Sequence, residues 1–276
     1  MTRPYAEVIG DPVAQSKSPV IHGFWLSRLG IEAEYRASHI RPEDLGQFVA
    51  DRRDDPDWRG CNVTIPHKEK IGAFLDCTEP RAAGLGAINT VYRDSDGRLC
   101  GTNTDIDGVA AALRGFDLAG HKAVVLGAGG AARAAFAHLA TTGCVASVLA
   151  RDAEKARAAL AHCGLDAEVL PFAGGTPAFD DAMLVINTTQ LGMTGEAPMP
   201  RFVLEEIDQM NREALVFDMV YAPRDTALLK AASLSGRATA GGLTMLVGQA
   251  RTAFMRFFGK QPPTGTDAEL MRMLTA

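Results

Sequence analysis

The sequence predicts an α/β protein built from two domains, and three observations carry that expectation. Short apolar strands alternate with capped helices over the first hundred residues. From about residue 106 the composition turns rich in alanine and glycine. Lys122-Ala123-Val124-Val125-Leu126 is then a continuous apolar strand of the kind a doubly covered parallel sheet requires. With 276 residues and 47% hydrophobic content, the chain can fill two cores without covalent cross-links.

In chain order, Ala6 to Ile9 reads as a strand broken by Gly10-Asp11-Pro12. A helix follows, with Ser18 as N-cap, Pro19 at the first helical position, Ile21, Trp25 and Leu29 on one face, and Gly30 as the stop. Tyr35 to Ile40 suggests a second strand, Leu45, Phe48 and Val49 line a helix, and Cys61 to Thr64 a third strand. Pro66 is expected to open another helix. Ala87 to Tyr92 and Leu99 to Thr102 read as paired strands, because Asp94-Ser95-Asp96-Gly97 has the chemistry of a tight turn. Further buried strands are expected at Val145 to Leu149, Met183 to Asn187 and Leu215 to Met219, with helices around Ala131 to Ala140 and Ala153 to His162. The tail after Gly242 is helical, with Leu246, Ala250, Ala253 and Phe257 on one stripe.

Composition excludes several classes. The net charge of -5, from 28 basic and 33 acidic residues without a run of like charge, argues against a nucleic-acid partner. The N-terminus turns charged before an apolar export signal could form, and the sequence has no apolar stretch long enough to span a bilayer, so the expected location is the cytoplasm. Five scattered cysteines, Cys61, Cys77, Cys100, Cys144 and Cys163, are expected as reduced thiols. The six histidines show no metal-binding spacing, so no metal is expected.

Gly127-Ala128-Gly129-Gly130-Ala131-Ala132 follows the strand ending at Leu126 and precedes an alanine-rich helix, the context in which G-x-G-x-x-A marks a dinucleotide site. Gly127 permits the tight turn, Gly129 lets the backbone approach a pyrophosphate, and Ala132 allows close helix packing. Flavin or S-adenosylmethionine loops are the competing reading. Beyond the next strand, Arg151 and Lys155 suit a ribose 2′-phosphate, whereas Asp152 suits a free 2′-hydroxyl or a helix cap. The balance of charge favours NADP and keeps NAD possible.

Three polar segments do not read as core. Ser16-Lys17-Ser18-Pro19 places two hydroxyls before a helix N-terminus, suited to a carboxylate, although Ser18 also reads as a plain cap. Lys68, expected in a first helical turn, would have its pKa lowered by the dipole and become a proton carrier, against the plain reading of a solvated lysine. Asp105 in Gly101-Thr102-Asn103-Thr104-Asp105 reads either as a cap or as a partner for Lys68.

Taken with Gly86-Ala87-Ile88-Asn89-Thr90, Asn187 to Met193, Asp218-Met219-Val220-Tyr221 and Met245 to Ala250, these segments resemble, in order and spacing, the motif series of the shikimate dehydrogenases. The resemblance covers nearly the whole chain. It implies a substrate domain of residues 1–105 and 242–276, a Rossmann domain of residues 106–241 and a cleft between them. It further implies reversible NADPH-dependent reduction of 3-dehydroshikimate to shikimate, a step of aromatic amino acid biosynthesis, by a monomer or homodimer. By the same carry-over Lys68 and Asp105 are the catalytic pair. Ser16, Ser18 and Tyr221 would hold the substrate carboxylate, and Thr64, Asn89, Asp105 and Gln249 the ring hydroxyls. The loop residues Gly127, Ala128, Gly129, Gly130 and Ala131, with Arg151, Asp152 and Lys155, would hold the coenzyme, with Met219 and Gly242 near its nicotinamide.

This chain departs from the family pattern at three places, while Ser18 argues for shikimate without excluding quinate. Ala150-Arg151-Asp152 stands where NADP-type members carry Asn-Arg-Thr, and Ser18 stands where quinate-using members often have threonine. Gly241 and Gly23 replace a common aspartate and a frequent asparagine. The alternatives are a paralogue acting on quinate or another cyclic polyol acid, and a nucleotide-binding regulator without activity.

Overall fold

The computed structural model describes residues 3–275. Its chain forms two compact units, Met1–Asp105 with Gln249–Ala276, and Ile106–Gly248. The return to the first unit falls at Gln249, inside the helix Gly242–Phe258, and not at 242. Packing explains the difference. A Cβ on Gly242 would run into the Met219 carbonyl, and one on Gly248 would lie 2.5 Å from the Ala111 Cβ, so the first turns of that helix belong to the second unit.

The first unit contains β1 (Tyr5–Gly10), α1 (Ser18–Leu29), β2 (Glu34–His39), α2 (Leu45–Arg53), β3 (Trp58–Val63), β4 (Cys77–Thr78), α3 (Pro80–Ala83), β5 (Thr90–Arg93) and β6 (Leu99–Thr102). They form one mixed sheet in the order β2-β1-β3-β5-β6-β4, with β1, β2 and β3 parallel and β3, β5 and β6 antiparallel. Ile9, Leu45, Phe48, Trp58, Val63, Ile71, Ile88 and Leu99 fill its core. Within it the fully buried Glu7 accepts from Trp58 Nε1 at 2.8 Å and from Arg52 at 2.7 Å, so the buried charge is paired on the spot.

The second unit contains α4 (Asp105–Ala112) from its second residue onward, β7 (Lys122–Leu126), α5 (Gly130–Leu139), β8 (Val145–Ala150), α6 (Ala153–Cys163), β9 (Ala167–Pro171), β10 (Leu184–Asn187), α7 (Arg201–Glu206), β11 (Leu215–Asp218), α8 (Ala227–Leu234) and β12 (Ala238–Gly241). Its sheet is wholly parallel, in the order β12-β11-β10-β7-β8-β9. The strand order reverses between β7 and β10, the switch point at which doubly wound sheets open a ligand crevice.

Helices α9 (Gly242–Phe258) and α10 (Asp267–Thr275) end the chain. Ala253 and Phe257 of α9 pack with Ala6, Tyr92 and Cys100 on the face of the first sheet. Close approach is possible because Gly60, at φ 150°, has no Cβ to meet Phe257 and the Val91 carbonyl. Among the described residues, no helix is long and apolar enough to cross a membrane.

Four local expectations need correction. Residues 65–70 form turns, followed by a 3-10 segment Ile71–Phe74, so Pro66 opens no α-helix and Lys68 feels no helix dipole. The His67 ring donates to the Ile40 carbonyl at 2.7 Å, and the Lys68 carbonyl accepts from Ile88 N at 2.8 Å; these tertiary bonds hold the segment in turns. Lys17, not Ser18, occupies the cap position of α1, and Ser18 lies buried in its first turn. The strand expected from Ala87 starts at Thr90, because Ile88 N and the Asn89 side chain bond to neighbouring segments. Cys77 and Cys100 are joined in a disulfide, since β4 pairs with β6 with these two residues opposite one another. Cys61, Cys144 and Cys163 are free.

His22 of α1 is fully buried, stacked on Tyr35 with ring centroids 4.0 Å apart. Burial pushes its imidazole down to about 3 from 6.5. Between those values the unfolded chain binds a proton that the folded chain refuses, so stability is lost as pH falls below 6.5. We expect this group to remove about 2 kcal/mol of unfolding free energy between about pH 6.5 and 5. Urea titrations of the wild type and of His22→Phe, which keeps the stack, check this: the variant should lose less by that amount, and equal losses would contradict a neutral buried ring.

Candidate active site

Lys68 leaves β3 through the turn at residues 65–70, and Asp105 opens α4 directly after β6. Lys68 Nζ donates to Asp105 Oδ2 at 2.7 Å, with side chains 31% and 18% exposed. The pair is therefore held out of bulk water while remaining in touch with it. Asn103 Oδ1 accepts from Asp105 N at 3.0 Å, fixing the backbone where the carboxylate departs. Asn89 Nδ2 donates to Asp105 Oδ1 at 2.7 Å, so both carboxylate oxygens have assigned donors and the side chain has one orientation.

Asn89 is 3% exposed, and its polar atoms are all engaged inside the protein. Its Nδ2 also donates to Thr104 Oγ1 at 3.1 Å, and its Oδ1 accepts from Thr104 N at 2.7 Å and Thr90 Oγ1 at 2.9 Å. Thr104 Oγ1 in turn donates to Gln249 Oε1 at 3.2 Å, which brings the C-terminal helix into the same cluster. Thr90 Oγ1 accepts from Asn62 Nδ2 at 3.0 Å, and Asn62 Oδ1 accepts from the Tyr35 hydroxyl at 2.6 Å. Burial, first, holds the Tyr35 phenol well above its usual range, while a hydrogen bond from Ser18 opposes the rise. Ser16 Oγ accepts from Ser18 N at 3.3 Å. A continuous hydrogen-bonded chain thus runs from Tyr35 to Lys68.

The structure joins Asn89, Gln249, Lys68 and Asp105 through this network, Ser16 and Ser18 meet each other at the start of α1, and Thr64 stands at the end of β3 two residues after Asn62. Tyr221 lies in the second unit, 40% exposed. Tyr35, Asn62, Thr90 and Thr104 were missed as site residues. Nothing in the sequence marks the four as one network, since the contacts that tie them together span 14 to 145 residues.

In the second unit, the loop after β7 bends at Gly127, φ 96°, where a Cβ would lie 2.6 Å from Thr189 Cγ2. Cβ atoms on Gly129 or Gly130 would meet nothing within 4 Å, and no side chain caps α5. Uncapped N-H groups at an open glycine loop are what a phosphate-bearing ligand needs. Met219 N donates to the Asn187 carbonyl at 3.0 Å, which sets Met219 just past β11, and Gly242 N donates to the Val220 carbonyl at 3.3 Å.

Past β8, Asp152 Oδ1 accepts from Lys155 N at 3.0 Å and so caps α6. A pocket of about 460 Å³ opens beside it, lined by Arg151 and Arg157 together with Ala153, Leu170 and Phe172. Lys155 does not line it. Ala153 and Arg157, four residues apart, share one face of α6, and Lys155 sits between them on another face. Arg157 is thus a second cation that the sequence reading passed over, four residues beyond an alanine and without a motif to flag it. Gly23 and Gly241 leave room for a side chain, with nothing within 4 Å at the first and only Leu229 Cδ1 at 3.6 Å at the second. Among the described residues, one group of potential metal ligands occurs, Cys77, Asp94 and Cys100, and its two sulfurs are bonded to each other.

Residues 8–91 match the family model for the shikimate dehydrogenase substrate binding domain. A Sphingopyxis alaskensis protein named shikimate dehydrogenase (NADP(+)) is 46% identical over 275 residues, which is 99% of this chain and 97% of that protein. The crystal structure of shikimate 5-dehydrogenase from Thermus thermophilus, in complex with NADP(H) and shikimate, is 34% identical and covers 98% of this chain and 99% of its own, with a TM-score of 0.84. The ligand-free 5-ketofructose reductase of Gluconobacter sp. strain CHM43 is 27% identical, covers 99% of both chains and has a TM-score of 0.89.

The cluster around Asn89 makes a stability statement of its own. Asn89→Ala strands the buried Thr104 N-H without an acceptor and takes from the Thr90 hydroxyl its nearer one, so we expect a loss of about 2–3 kcal/mol in urea unfolding. A change within about 0.5 kcal/mol of zero, the scatter of an ordinary surface substitution, would show that the cluster satisfies itself without the amide.

Proposed function

On the premise that this chain belongs to the shikimate dehydrogenase family, we propose that Lys68 and Asp105 handle the proton in its reaction, the reversible NADPH-dependent reduction of 3-dehydroshikimate to shikimate. The observation that carries this reading is the 2.7 Å contact between Lys68 Nζ and Asp105 Oδ2, with Asn89 holding the other carboxylate oxygen. One ammonium hydrogen is committed to Asp105, which leaves two for a substrate oxygen. As the ketone becomes an alcohol, Lys68 gives its proton to that oxygen; in the reverse direction it takes the proton back. Asp105 keeps the ammonium aimed and stabilises its charge. Being 31% exposed, Lys68 can exchange protons with water between turnovers.

Substrate recognition falls to side chains of the first unit and to Tyr221. Ser16 and Ser18 suit the carboxylate, with Tyr221 as a third donor, and Thr64, Asp105 and Gln249 suit the ring hydroxyls. Asn89, whose amide hydrogens are already given to Thr104 and Asp105, acts here by orienting Asp105. NADP is the coenzyme; bound in its reduced form, it would supply the hydride for the carbonyl carbon. The loop Gly127 to Ala131 suits its pyrophosphate, and Met219 and Gly242 its nicotinamide end. Arg151 and Arg157 suit the 2′-phosphate, whereas Asp152 is occupied as a helix cap. The reaction is assigned to the cytoplasm.

A second substrate class, a keto sugar, is supported by one observation, the likeness to a protein named 5-ketofructose reductase. Ser18 stands where quinate-using members often have threonine, which supports shikimate over quinate. Values of kcat/KM for shikimate, quinate and 5-ketofructose separate these readings.

Lys68→Ala should lower kcat by about 10²-fold or more with a smaller change in KM. Unchanged turnover would remove Lys68 from the chemistry. Arg157→Gln and Arg151→Gln should each weaken NADP binding by about tenfold, the worth of one charge-assisted contact, while NAD binding stays nearly constant. Equal weakening of both coenzymes would mean that neither arginine reads the 2′-phosphate.

A further inference from the structure

We propose that Cys77 and Cys100 form a reversible thiol–disulfide exchange site that low-molecular-weight thiols enter through Cys77. The site lies on an edge of the first sheet. Strand β4 is only two residues long and pairs with β6 alone, in a register that sets Cys77 opposite Cys100 with Cα atoms 4.7 Å apart, within the span a disulfide bridges.

Opening the bond does not dismantle the strand pair. Asp76 N donates to the Leu99 carbonyl at 2.9 Å on one side of it, and Glu79 N to the Gly101 carbonyl at 2.8 Å on the other. Thr102 Oγ1 donates to Glu79 Oε2 at 2.8 Å, and Arg256 of α9 pairs with Glu79 Oε1 at 2.9 Å. Both sulfurs are thus kept in register whether or not they are bonded.

The two sulfurs have different surroundings. Cys100 is 3% exposed, and its Sγ lies 3.6 Å from Asp94 Oδ2. That carboxylate is placed to accept a hydrogen bond from the Cys100 thiol, so the reduced state has a partner waiting. Cys77 is only partly buried, at the margin of the same cluster. An incoming thiolate therefore attacks Cys77 Sγ. The Cys77–Cys100 bond breaks, the Cys100 sulfur leaves with the bonding pair and takes up the proton the attacking thiol released, and Cys77 carries the mixed disulfide. A second thiol attacks the outer sulfur, freeing Cys77 as a thiol. Two thiols are oxidised to one small disulfide as the protein disulfide is reduced, and oxidation by that small disulfide runs the same steps backwards.

The test uses the intact protein equilibrated in buffers of graded reduced to oxidised glutathione, then acid-quenched, denatured, alkylated and weighed. With five cysteines in the chain, five alkyl adducts are expected at the reduced limit and three at the oxidised limit, the pair changing together. The oxidised form should melt about 5–10 °C higher, as expected for a cross-link closing a loop of this size. Cys100→Ser should abolish the paired change and instead carry glutathione on Cys77, while Cys144→Ser should keep the paired change. Five adducts at every ratio, or three even in excess reduced glutathione, would overturn the proposal.

Discussion

The ion pair between Lys68 and Asp105 is the constraint around which the first unit is organised. A lysine in a turn has wide rotamer freedom, and ordering its side chain costs roughly 1.5–2 kcal/mol. The structure offsets that cost with a charge-assisted bond at 2.7 Å to a carboxylate that is itself immobilised by Asn89 and by the Asn103 cap. A solvated pair of this kind would contribute little. Partly enclosed and geometrically fixed, it becomes a defined donor aimed at one place.

That definition is inherited from buried polar side chains that serve no obvious structural purpose elsewhere. Asn62, Asn89, Thr90 and Thr104 are each at most 5% exposed, where apolar residues would be simpler to accommodate. They are tolerated because each donor meets an acceptor, from the Tyr35 hydroxyl through to Gln249. The same network ties β3, β5, the start of α4 and the C-terminal helix to one geometry. The fold therefore sets the pair through several strands and helices at once.

Much of this was legible in the sequence. The strand Lys122–Leu126, the glycine loop and its helix announce themselves through local periodicity and turn chemistry, which need only neighbouring residues. What escaped was what depends on distant partners. Pro66 carries a helix-start signal, yet the His67 ring bound to Ile40 and the Lys68 carbonyl bound to Ile88 hold turns in its place. The pairing of Cys77 with Cys100 follows from a two-residue strand joining β6 across the sheet edge, which spacing alone does not reveal. Arg157 became visible only when the phase of α6 placed it beside Arg151. The candidate site residues of the motif series, by contrast, are named because the resemblance runs through them.

If the carboxylate and the ammonium act as one device, removing either should disable it, and removing both should do little more. The decisive measurement is a double-mutant cycle on kcat with Lys68→Met, Asp105→Asn and the combined variant, each checked for folded state and coenzyme binding. The expected result is strong non-additivity, the combined variant being no more than a fewfold slower than the worse single one. Losses that multiply would contradict it, since two groups working independently would then be doing separate jobs.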